Sequence, residues 1–218
     1  MSAYLDILPK ILPGLIVTIE ILMASAILAF FIAFAAGLGR ISRFSIVRKI
    51  TVIYVELFRG TSLLVQLFWI FFALPAFGIQ FSPFLAGVVA LGLNYGAYAS
   101  EIVRGAILAI PHGQTEASIA LNMSRWQRLR LIILPQALRI MLPGFGNISI
   151  ELLKGTSLVS MITLTDLTYK GLIIQNTNIS YTMPVFVLLL VLYFVIALPL
   201  IFIARKLEKN ASRGVVKT

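Results

Sequence analysis

The sequence predicts an all-α integral membrane protein of five transmembrane helices, N-terminus outside and C-terminus inside. Three observations predict it. Of 218 residues, 60% are hydrophobic and 12% charged, and the mean hydropathy is +1.00, whereas a soluble domain averages about 45–50% apolar and about 25% charged. Five apolar stretches, about 15–38, 55–79, 84–107, 140–164 and 184–204, are each long enough to cross a hydrocarbon core of about 30 Å. The Lys and Arg residues gather between alternate stretches, as cytoplasmic loops require.

The net charge of +10 would suggest nucleic acid as a partner in a soluble protein. Here the bias of cytoplasmic loops accounts for it, and no nucleic acid is expected. There are no cysteines and one histidine, His112, so disulfides and thiolate sites are excluded and no metal is expected. Residues 1–218 read as a single transmembrane domain, without repeat or linker.

The first span, 15–38, is apolar apart from Glu20 and small polar residues. A signal peptide is the competing reading, but the apolar run exceeds the usual h-region and its positive charges follow it. Those charges are Arg40, Arg43, Arg48 and Lys49, in a loop placed inside. The second span is a helix that starts at the inner interface, and Glu56 and Arg59 can pair across one turn. Pro75 and Gly78 loosen its outer end, while Trp69, Phe71 and Phe72 read as lipid-facing or packing aromatics. Pro83 opens the third span, where Glu101 and Arg104 repeat the Glu-x-x-Arg spacing. Both pairs read as structural pairs near an inner gate. Gly92 and Gly96 form a G-x-x-x-G, a weak signal for a helix contact in a dimer.

The fourth span carries Asn147, Glu151, Lys154 and Thr156. Charges there are costly, so they face a partner helix or a wet cavity. They are candidates for a substrate path, with a structural network as the equal alternative. Gly144, Gly146 and Gly155 would permit a break in this helix. Residues 166–183 read as a polar outer loop, with room for a short surface helix, and 184–204 is the fifth span. Inside lie Arg40, Arg43, Arg48, Lys49, Arg125, Arg128, Arg130, Arg139, Arg205, Lys206, Lys209, Arg213 and Lys217, against Lys10 and Lys170 outside. That asymmetry sets the orientation.

The cytoplasmic loop at about 111–139 is the longest polar interruption. Thr115 can cap a short helix running through Glu116 to Leu121, and Asn122 suits the left-handed position that ends it. Ser124-x-x-Gln127 is a capping-box pattern for a second helix. Pro135 disfavours helix at Leu134 and ends it. Two short helices at an angle form a shape for docking into a groove of another protein. The alternative is a passive interfacial loop, in which Arg125 and Arg128 meet lipid headgroups and His112 is a surface residue.

The order Glu116-Ala117-Ser118, followed by Ile132-x-Leu134-Pro135, resembles the EAA loop of ABC importer permeases. The stretches ELFRGTSLLVQ at 56–66, AYASEIVRGAI at 97–107, Gly113-Gln114 and LKGTSL at 153–158 resemble the polar amino acid uptake subfamily, which includes histidine, glutamine, arginine, cystine and ectoine-type permeases. The likeness runs from about residue 13 to 205. It departs where Asn122 replaces the loop glycine, Ser118 the second alanine and Ser62 a proline.

The resemblance implies a type I importer permease fold with cytoplasmic coupling helices. It implies one half of a permease pair, formed with itself or a sister subunit, in a bacterial cytoplasmic membrane. Two ATPase subunits would dock on Glu116, Ala117, Ser118, Ala120, Leu121 and Asn122, with Ala117 and Ala120 small enough for close insertion. ATP and Mg would be bound by the ATPases, and an extracytoplasmic solute-binding protein would deliver the solute. The chain has no G-x-x-x-x-G-K-[ST] loop and is not expected to be an enzyme. An ATP-independent carrier or channel subunit is the alternative, and many carriers would show paired repeats. A membrane adaptor without transport is a third reading.

Overall fold

The computed structural model describes Ser2–Ser212, and Arg213 and Lys217 of the inner charge count lie outside the described residues. The described chain is all-helical. In order come α1 (Ser2–Arg40), α2 (Ser45–Gly60), α3 (Leu63–Phe68), α4 (Pro83–Leu108), α5 (His112–Ala120), α6 (Arg125–Arg128), α7 (Leu134–Thr156), α8 (Leu167–Thr177) and α9 (Thr182–Ser212). Three helical segments are long and apolar enough to cross a membrane, Tyr4–Arg40, Arg125–Ile162 and Ile179–Ala211, and a fourth if α2 and the α3 segment count as one bent span. At about 39 Å, α4 has the length too. It carries Asn94, Tyr95, Tyr98, Glu101 and Arg104 because it lies in the middle of the bundle, with most of its residues buried.

Helix α1 begins at Ser2, well before the expected 15, and runs through Pro9 and Pro13. Packing overrides those prolines. Ile7 and Ile11 are fully buried against Leu167, Val185 and Leu189, so tertiary burial offsets the lost helix hydrogen bonds. Further along, α1 lies against α4. A Cβ at Gly92 would collide with Leu28, and one at Gly96 with Ile32. The G-x-x-x-G therefore serves a contact within the chain, not the dimer contact considered from sequence.

The expected second span is broken. Thr61 and Ser62 are extended between α2 and α3, and the two arms meet at 106°. After α3 the chain passes through a π turn, Trp69–Ala73, and a 3₁₀ turn, Leu74–Phe77, that Gly78 ends at φ 82°. The expected stop at Pro135 is not made. A π turn, Leu129–Ile133, links α6 to α7, with the Leu134 N–H donating to the Leu129 carbonyl. The extra residue in that turn lets the proline start α7 without interrupting it. Nor does α7 break at Gly144 or Gly146, which pack against Ile102 and Ala204. The turn comes later, after the 3₁₀ stretch Ser157–Ile162, at Thr163 with φ 63°.

Candidate functional site

The predicted residues fall into three zones, the first being the loop at 111–139. Helix α5 starts at His112, with Pro111 rather than Thr115 at the cap position and no side-chain cap. Thr115 instead lies inside the helix, where its carbonyl accepts from Ser118 Oγ at 2.7 Å. Glu116, Ala117, Ala120, Leu121 and Asn122 are exposed, Leu121 at 75%, while Ser118 is buried. Ser118 thus packs beneath the exposed face that the other five present. Asn122 takes φ 58°, and its N–H donates to the Ile119 carbonyl at 2.8 Å while that of Met123 donates to Ser118 at 3.0 Å. This is a Schellman ending with asparagine in the glycine position. Ser124 and Gln127 cap each other reciprocally, at 3.3 and 2.8 Å.

The second zone is a polar face on α7. Asn147, Glu151 and Lys154 are all exposed, and their spacing of four and three residues puts them on one side of the helix. Among the described residues no ion pair joins Glu151 to Lys154. Thr156 does not belong to this face. It is fully buried, and its hydroxyl donates to the Leu153 carbonyl at 2.7 Å. The face is anchored from behind by Tyr95 of α4, whose hydroxyl donates to the Glu151 carbonyl at 2.8 Å.

The third zone is the set of charges toward the C-terminal ends of α1, α2 and α4. Glu101 and Arg104 pair at 3.0 Å, as their spacing predicts. Glu56 and Arg59 do not. Glu56 lies 3.7 Å from Arg40, and Arg40 also donates to Glu101. Arg40, read as a loop charge, is therefore a mostly buried hub that ties α1 to both neighbours. It takes Glu56 because α1 reaches α2 there, and the ion pairs among the described residues leave Arg59 out. Arg59 lies over the ring of Tyr98, 5.4 Å from its centroid.

Sequence reading missed Asp166, placed in the outer loop as a polar residue. It is fully buried. Its carboxylate accepts from the Tyr169 N–H at 2.8 Å, capping α8, and from the Tyr193 hydroxyl at 3.4 Å. Burial pushes its carboxyl up to about 6, against those hydrogen bonds. Thr18 joins the cluster by accepting from the Leu167 N–H at 3.0 Å. An Asp heading a helical run is an N-cap signal, and that signal was present at Asp166.

Known proteins place the chain. The family described as binding-protein-dependent transport system inner membrane component matches residues 29–213. The chain belongs to that family. This permease is 47% identical over 206 residues to the Probable amino-acid ABC transporter permease protein y4tF of Sinorhizobium fredii, covering 92% of this chain and 86% of that one. It is 39% identical to the glutamine transport system permease protein GlnP of Escherichia coli, covering 96% of each, and 37% identical to the L-cystine transport system permease protein TcyB of Bacillus subtilis, covering 96% and 89%. A chain from the crystal structure of an amino acid ABC transporter with histidines superposes at TM-score 0.86 and 33% identity, covering 94% of this permease and 96% of that chain. A chain of the inward-facing MetNI methionine ABC transporter, 22% identical at TM-score 0.81 with 95% and 99% coverage, shares the fold. The permease is thus a transport component with the type I fold, in systems whose ATP hydrolysis lies in separate subunits. The carrier or channel reading gives way to this match.

Proposed function

We propose that this chain is the permease subunit of an ATP-driven importer for a polar amino acid or a related zwitterion, compatible solutes included. The single observation that carries the reading is the likeness along nearly the whole chain to an amino acid ABC transporter at TM-score 0.86. In this reading the spans are α1, the bent α2–α3 pair, α4, α6–α7 and α9, in a bacterial cytoplasmic membrane with the N-terminus out and the C-terminus in. Helix α8 then lies outside and α5 inside. Two permeases, identical or sister subunits, enclose the path, and Asn147, Glu151 and Lys154 line it. A zwitterion needs one contact for each of its charges, and this face offers both signs.

The exposed side of α5 inserts into a cleft of an ATPase subunit. ATP and Mg are bound by the two ATPases, and a solute-binding protein feeds the outer mouth. Closure of the ATPase pair moves the docked α5 helices and rocks the spans between outward and inward openings.

Co-purification and proteoliposome uptake test the reading together. Wild-type permease is expected to retain its ATPase, and Glu116→Lys to lose about tenfold in both retained ATPase and uptake, as removal of a charged contact should. Recovery of no ATPase with the wild type, or wild-type uptake by the Lys variant, overturns it.

A further inference from the structure

Arg59 is a cation in an unusual position. Its expected partner Glu56 is taken by Arg40, and the ion pairs among the described residues, Arg40 with Glu56 and Glu101 and Arg104 with Glu101, leave Arg59 out. Its neighbour Tyr98 stands in the middle third of α4 (Pro83–Leu108), about 22 Å from its N-terminal end and about 15 Å from its C-terminal end. An arginine at that depth is costly and marks function by default. The Tyr98 ring and the C-terminal end of the α2 dipole hold the guanidinium electrostatically, without neutralising it.

The position is built, not frayed. Gln66 Nε2 donates to the Phe58 carbonyl at 2.9 Å and to Thr61 Oγ1 at 2.7 Å. Asn94 Nδ2, itself buried, donates to the same Phe58 carbonyl and to Gln66 Oε1, both at 3.0 Å. Tyr98 donates to the Arg59 carbonyl at 3.3 Å. Two side chains from α4 and one from α3 therefore satisfy the carbonyls that the break exposes, and aim Arg59 at the exposed face of Tyr98. Tyr95, one turn away on α4, bonds the Glu151 backbone. The α4 tyrosines thus connect Arg59 to the polar face of α7.

We propose that Arg59, positioned by Tyr98, is a further cationic contact, besides Lys154, that takes the solute's carboxylate as it crosses. This rests on the importer reading above. A guanidinium matches a carboxylate with two parallel N–H donors, which a lysine cannot reproduce. Glu151, across the tyrosine pair, carries the opposite sign and is available to the solute's ammonium.

The test uses the whole transporter, with ATPases and binding protein, in proteoliposomes. Radiolabelled glutamine, cystine, histidine, arginine and glutamate are supplied in turn, and solute moved per ATP hydrolysed is measured. Arg59→Met is expected to lower that ratio about tenfold, the scale of one charged hydrogen bond. Arg59→Lys should recover part of it, and Tyr98→Leu should lower it less than Arg59→Met. A purely structural role would lower uptake and hydrolysis in step, leaving the ratio unchanged, and that result overturns the assignment. If the Met variant does not assemble, Arg59→Gln is compared with Arg59→Lys, and equal ratios overturn it as well. A wild-type complex that hydrolyses ATP but moves none of the amino acids overturns the importer reading itself. The Arg59 assignment falls alone when the wild type transports and the variants keep its ratio.

Discussion

At the scale of single residues, burial decides what each charge does. Asp166 carries its carboxyl near 6 because desolvation outweighs the Tyr169 N–H and the hydroxyls that favour the anion. A folded pKa above the unfolded one means that protons bind the folded state more tightly. This group's contribution to stability is then complete below about pH 4 and is lost as the pH rises through about 6. Asp166→Asn removes the charge while keeping the shape. It is expected to exceed wild type in stability by on the order of 2 kcal/mol at pH 8 and to converge with it toward pH 4. Thermal unfolding of purified permease across that range reads the gap, and a gap independent of pH refutes the argument. Arg40 and Arg59 make the same point from the basic side. Spacing offered Glu56 to Arg59, but the approach of α1 gave it to Arg40. A sequence window of one turn does not contain that competitor.

At the scale of elements, local signals were readable and distant ones were not. The Ser124–Gln127 capping box, the left-handed Asn122 and the Pro83 start of α4 each depend on a few neighbouring residues, and each appears as read. The break at Thr61–Ser62 depends on Asn94, a residue 36 positions from Phe58. No local pattern at 55–79 distinguishes a bent pair from a straight span. Asn94→Leu leaves the Phe58 carbonyl and Gln66 Oε1 each short of a donor. It is expected to destabilise the permease by about 1–3 kcal/mol. Gln66→Leu should cost a similar amount, and the double variant less than the sum because the two share one network. Additive losses in thermal unfolding would show that the clamp is not a unit. Pro135 and the α7 glycines misled in the opposite direction. A π turn absorbed the one, and close packing by Ile102 and Ala204 used the others.

At the scale of the whole molecule, the arrangement leaves the polar face of α7 and one side of α5 uncovered, and buries most of α4. The proposed topology has a direct test, because the chain has no cysteine and any introduced thiol is unique. Lys170→Cys is expected to react with a membrane-impermeant maleimide in spheroplasts, and Arg128→Cys only after the membrane is opened. The reverse pattern would invert the orientation. What the sequence by itself determined is the helical, apolar character of the chain, its family, and the Ser124 cap and Asn122 turn of the loop at 111–139. Those follow from composition and from contacts a few residues apart. Only the tertiary structure decided where the second span bends, which charge Arg40 takes, why Asp166 is buried, and that Arg59 lies over an aromatic ring, outside the ion pairs among the described residues. Each of those is a competition between groups far apart in the chain, settled by which helices touch.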